Sequence, residues 1–178
     1  MIQFLAIAFF ALHLFAPPQG KDKQASCPMH EKHAQEAADE HHKGVDERGD
    51  VVMGFSHEKT THHFLLYADG GAILIEANDA KDTESRDHIR MHLGHFARLF
   101  AEGNFTGPML IHAENVPGTA VMKQLREEIR YQAEPTERGA RMRITTSNAQ
   151  ALAAIHDFLR FQIKDHGTGD PLSVTAKP

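Results

Sequence analysis

Apolar and polar positions alternate in regular patterns only after residue 50. In Thr60–Tyr67, His62, Phe64 and Leu66 fall on one face and His63, Leu65 and Tyr67 on the other, the two-residue period of a strand. A second run, 72–77, is rich in apolar and β-branched residues. Between the runs, Ala68-Asp69-Gly70-Gly71 contains the Asp-Gly pair typical of hairpin turns. From about residue 83 to 102 the period becomes helical. Ile89, Leu93, Phe96 and Phe100 recur every three or four residues as a core stripe. Asp82 or Thr83 is the expected N-cap, and Gly103 the residue that stops the helix. His88, His92, His95 and Leu99 form the adjoining stripe, which places these histidines at the border of the buried face.

The same order then returns. Segments 129–133 and 140–146 read as strands about a turn at 135–139. Ser147-Asn148 caps a last helix that ends at Gly167, with Leu152, Ile155, Leu159 and Ile163 inward. GGAILIEAND (70–79) and RGARMRITTSN (138–148) match as turn glycine, strand, polar cap and helix, which predicts two ββα units from an internal duplication. One such unit cannot bury a sheet face alone. Paired, the units predict a single α+β domain over 51–169, with a four- or five-stranded antiparallel sheet and helices packed on one face. Between them, 104–118 is punctuated by Gly and Pro and is expected as a loop or added edge strand. Segment 119–128 is expected as a short helix with Val121, Met122 and Leu125 inward. Residues 170–178 form a tail.

Upstream, MIQFLAIAFFALHLFA (1–16) is apolar apart from Gln3 and His13 and too short for a membrane span. The segment 1–20 therefore reads as a secretory signal. It implies a periplasmic or secreted protein with no stable membrane span after its removal. Gln24 stands where a lipoprotein cut site has an aliphatic residue, which argues against lipidation of Cys27. Residues 21–50 are polar and charged and are expected to be an extension that is flexible or only transiently helical.

Composition adds one unusual feature, 14 histidines in 178 residues. The net charge is −5 with those histidines neutral, and the 19 Lys and Arg are dispersed, which argues against a nucleic-acid partner. The single cysteine excludes an internal disulfide. The histidines concentrate in GFSHEKTTHHFLL (54–66), with His57, Glu58, His62 and His63, and on the following helix, with His88, His92 and His95. Imidazole and carboxylate are the donors of a tetrahedral zinc or copper site. The expected site joins His92, His95 or His88, and one of His62 and His63, completed by Glu58 or His57. HEKTTH is not a zincin motif, because its second histidine comes one residue late and the stretch is not helical. His156 is expected as a hydrogen-bonded core histidine, and His112 and His166 as loop and helix-end residues.

CPMH, Cys27 to His30, resembles the CPMH segment of metal-binding modules found beside bacterial copper and heavy-metal efflux proteins. The resemblance covers four residues, and Glu31 stands where that pattern has a second proline. It implies soft-metal capture by Cys27, Met29 and His30. The core resembles small exported bacterial proteins without an assigned activity. The leading expectation is an exported copper- or zinc-binding protein for capture, buffering or delivery, with a metal-transport protein or a second copy as partner. One alternative is a small metal-dependent enzyme with Glu58 as general base. The other is an interaction or stress protein that needs no metal. No Gly-rich phosphate loop, G-x-S-x-G or C-x-x-C supports an enzyme further.

Overall fold

The computed structural model describes residues 28–175, apart from the side chains of residues 28–31 and 34. The signal-like segment and Cys27 lie outside the described residues, as do the side chains of Met29 and His30 and the last three residues of the tail. In chain order the elements are α1 (Pro28–Met53), β1 (Thr60–Tyr67), β2 (Gly70–Ala77), α2 (Thr83–Ala101), α3 (Thr106–His112), α4 (Thr119–Gln124), β3 (Ile129–Pro135), β4 (Gly139–Thr146) and α5 (Ala149–Asp165). The strands form one antiparallel sheet in the order β1-β2-β4-β3. The fold is therefore α+β, with four strands and helices packed against the sheet.

The two ββα units meet at β2 and β4. Each long helix crosses to the other unit's hairpin: α2 lies chiefly over β3 and β4, and α5 over β1 and β2. The caps form where the sequence places them. Asp82 accepts from the Ser85 N–H, and Asn148 from the N–H groups of Gln150 and Ala151. Gly103, at φ 75°, turns the chain out of α2. Gly71 lets α5 close on the sheet. A Cβ there would sit 2.2 Å from Leu159 Cδ1 and 2.5 Å from the Leu65 carbonyl oxygen. Ile89, Leu93, Phe96 and Phe100 of α2 share one core with Ile155, Phe158, Leu159 and Ile163 of α5 and with Phe64, Leu66, Ile75 and Met142 of the sheet. Each such side chain contributes about 1.5–3 kcal/mol on burial. His156 is buried and donates from Nε2 to the carbonyls of Tyr67 and Gly70, tying α5 to the first hairpin.

Two expectations are corrected. The apolar run at 109–111 lies in helix α3, not in a loop or edge strand. Its burial has helical spacing, with Pro108, Ile111 and His112 inside and Met109 and Leu110 outside. Pro108 is tolerated because the first turn of a helix has no intrahelical acceptor for its N–H groups. The second correction concerns the extension, most of which is helix α1 rather than flexible chain. Lys32–Glu36 and Lys43–Glu47 pairs, each 3.7 Å, support it weakly. Docking supports it more. Val45 is fully buried, Val52 and Met53 pack on the core, and Arg48 Nε donates to the Ile111 carbonyl at 2.7 Å. A composition-based expectation of disorder counts apolar residues and misses a helix that needs only one buried side chain and a waiting partner surface.

The tail covers part of the β1 edge. Asp170 accepts from the Phe64 N–H at 2.9 Å and from Thr168 Oγ1 at 2.7 Å, and the Thr175 N–H donates to the Leu66 carbonyl at 2.9 Å. No helix among the described residues is long and apolar enough to cross a membrane.

Candidate functional site

Beneath α1, between the sheet and the helices, lies a cavity of about 300 Å³. Phe64, Ile73, Ile75 and Met142 line it from the sheet, Leu93, Phe96 and Phe100 from α2, and Phe158 from α5. Val45, Gly49 and Met53 of α1 complete the apolar lining. Its polar lining is His62, Gln162 and His166 inside, Asp46, Asp50 and His57 at the α1 side, and Thr60, Thr61, His63 and Thr168 about β1 and the end of α5.

His62 points inward because strand alternation leaves it no choice: it pairs with Ile75 on the helix-covered face of β1. His166 is the C-cap residue of α5. The two imidazoles stack with centroids 5.8 Å apart and planes 5° from parallel. Phe55 stacks on His62 from 6.1 Å and Phe64 on His166 from 5.3 Å. Burial, then the neighbouring His63, pushes His62 down to about 4. Burial, then His62 and His112, pushes His166 down to about 3. Both rings are therefore neutral at pH 7. Among the described residues, neither ring nitrogen of either histidine has a hydrogen-bond partner.

Behind them runs a buried polar chain. His112, 2% exposed, donates from Nδ1 to Asp165 Oδ2 at 2.5 Å, and its Nε2 lies 3.0 Å from Gln162 Oε1. Asp165 also accepts from His41 Nε2 of α1 at 2.7 Å, and its backbone carbonyl accepts from His42 Nδ1 at 2.8 Å. Burial opposes ionisation of Asp165, yet the hydrogen bonds from His112 and His41 outweigh it and hold the carboxyl below its usual range. The chain ends at the Gln162 side-chain nitrogen, which is buried and has no partner. An unpaired buried donor costs about 1–3 kcal/mol.

The histidines singled out by the sequence are distributed among three places. His62 enters the cavity. His63, on the other face of β1, donates to Asp170 at 2.9 Å. His57 sits beside Asp50 at 3.1 Å and Asp46 at 3.9 Å. Burial lowers its pKa, but the hydrogen bond to Asp50 and the two carboxylates raise it overall. Glu58 is exposed in the turn before β1. His88, His92 and His95 stay on the border of α2. Phe55 packs edge-on against His92 at 6.2 Å as well as stacking on His62. His92 is lowered by burial and then by His88 and His95.

Among the described residues, one group of three or more His, Cys, Asp and Glu side chains brings its ligand atoms within 4.8 Å of one another: His41, Glu114 and Asp165. It joins α1, the segment after α3, and α5. The sequence reading missed this group, and with it His166 and Gln162 of the cavity wall and His112 behind them. Their one visible signal was position, since His112 and His166 close two helices. No protein-family model, curated protein or solved structure matches this chain.

Proposed function

We propose that this protein binds a small, mainly apolar molecule in the cavity beneath α1. The observation that carries the reading is the Gln162 amide nitrogen, buried without a partner in the wall of an aromatic-lined space. Binding sites have this composition, an apolar body with a few placed polar groups. An apolar cavity of about 150 Å³ already takes benzene, so about 300 Å³ takes two fused rings. The test is a methyl-resolved NMR titration of the full chain with 2-ethylnaphthalene. Saturable shifts at Ile73, Ile75 and Met142 with a raised Tm support the reading. Unmoved methyl signals at saturating probe refute it.

A second reading, the capture of a divalent metal ion, is favoured by His41, Glu114 and Asp165. One imidazole and two carboxylates suit zinc better than Cu(I), which prefers soft sulfur donors such as Cys27. Zinc and Cu(I) titrations of the full chain, Asp165→Asn and Cys27→Ser separate the cases. Loss of stoichiometric zinc binding in Asp165→Asn supports the folded site. Loss of Cu(I) binding in Cys27→Ser alone places capture in the extension, and no binding by the full chain refutes the metal reading.

A further inference from the structure

The charges around the cavity are as informative as its shape. No lysine or arginine lines it, and the two interior imidazoles carry no charge at pH 7. The fixed charges at its α1 side are the carboxylates of Asp46 and Asp50, with His57 beside them. A carboxylate or phosphate in this space would give up its hydration, face two acids, and meet one imidazole, His57, already paired with both of them. An ammonium group could stay near Asp46 and Asp50, but the deep end would then meet the ligand's apolar end with an amide donor.

Gln162 Oε1 lies 3.0 Å from His112 Nε2, which leaves the Gln162 NH₂ at the unpartnered position in the cavity wall. An acceptor atom on the ligand satisfies it, and the phenyl rings of Phe96, Phe100 and Phe158 suit a flat aromatic body. We infer that the cavity selects an uncharged, two-ring-sized aromatic molecule carrying one hydrogen-bond acceptor, such as a ketone or ether oxygen, and rejects the corresponding carboxylate. This rests on the ligand-binding reading above and adds the chemical class of the ligand.

The test uses probes of one shape on the full chain at pH 7: 2-acetylnaphthalene, 2-ethylnaphthalene and 2-naphthoate. The ketone is expected to bind about tenfold tighter than the hydrocarbon, the effect of one hydrogen bond to an otherwise unpaired donor. The naphthoate is expected to bind at least tenfold more weakly than the ketone. In Gln162→Met the ketone should lose its advantage over the hydrocarbon, and the ratio of the two cancels any general loosening of the cavity. If the hydrocarbon binds but naphthoate equals or exceeds the ketone, the charge selection is wrong while the binding site stands. A ketone advantage retained in Gln162→Met overturns the role of Gln162. If indole, which only donates, binds tighter than the ketone, the amide faces the other way and the acceptor assignment falls. If none of the probes binds, the ligand-binding reading itself fails.

Discussion

Acid should destabilise this protein well above the range where carboxylates titrate, and His62 should account for a defined share of the loss. Its folded-state value is about 4 against 6.5 for the free side chain. A histidine lowered in this way leaves stability intact above about pH 6.5. Stability is lost as pH falls from about 6.5 to about 4, because only the unfolded chain takes up the proton there. The full span of about 2.5 pH units is worth about 3 kcal/mol. Between pH 6 and 4.5 one such ring gives a slope of about 1 kcal/mol per pH unit. His166, lowered to about 3, adds a similar slope over the same window. Asp165 acts elsewhere, since its lowered carboxyl contributes stability that disappears only below its ordinary value of 3.8. His57 is raised, so its contribution is lost at higher pH. Urea unfolding at four pH values between 4.5 and 7 should therefore show a wild-type slope of about 2 kcal/mol per unit or more below pH 6. His62→Phe keeps a stacked ring against Phe55 and should reduce that slope by about 1 kcal/mol per unit. Parallel curves for the two proteins would refute the claim that His62 is held neutral by burial.

Other consequences are equally direct. Asp170→Ala removes the acceptor of the Phe64 N–H, so it should cost about 1–3 kcal/mol and speed hydrogen exchange at Phe64, whose amide that carboxylate holds; an unchanged exchange rate would count against the tail as an edge cover. Asp165→Asn weakens the hydrogen bonds from His41 and His112, and amide exchange over residues 41–53 should accelerate relative to β2. Equal protection in the variant would mean that Val45 and Arg48 hold α1 without Asp165. Two glycine substitutions should differ in sign by urea denaturation. Gly118→Ala, at φ +80° with its Cβ 2.1 Å from the Ala154 carbonyl oxygen, should cost about 2 kcal/mol or more, whereas Gly94→Ala, in α2 with no atom within 4 Å, should add about 0.5–1 kcal/mol.

Periodicity and caps made the frame legible. Thr60–Tyr67 alternates, α2 and α5 keep their stripes, and Asp82 and Asn148 cap where polar residues precede apolar spacing. These signals are local, so they survive without knowledge of the partner surface. α1 was not legible for the opposite reason. Its stability depends on Val45 meeting α3 and on His41 meeting Asp165, contacts between residues more than a hundred positions apart in the second case. The site followed the same division. His62 was found because strand parity places it. Its stacking partner His166 and the orphaned Gln162 belong to the last turn of α5, where an isolated sequence shows only a helix ending. The expected pairing of His62 with the α2 histidines overlooked Phe55, one large ring packed against both.

The two ββα units offer an independent check on why the cavity lies where it does. One sequence offset relates Ile73 to Met142, which pair at the centre of the sheet, Ile75 to Ile144, and their outer-strand partners His62 and Tyr131. The two halves thus place a polar ring at equivalent points beneath the helices. On the β3 side the Tyr131 ring packs edge-on to Phe100 at 5.8 Å, with its hydroxyl buried and unpartnered. On the β1 side the smaller His62 adjoins open space, roofed by the 26-residue α1, where the second unit has only the 6-residue α4 before its hairpin. His62→Tyr would copy the filled half onto the open one. The larger ring should occupy part of the cavity, offset about 1 kcal/mol of cavity cost, remove the His62 share of the acid dependence, and abolish 2-acetylnaphthalene binding. A folded His62→Tyr protein that binds the ketone as tightly as wild type would show that the ligand sits elsewhere, and that the space beside His62 is a packing consequence of the paired ββα units rather than a binding site.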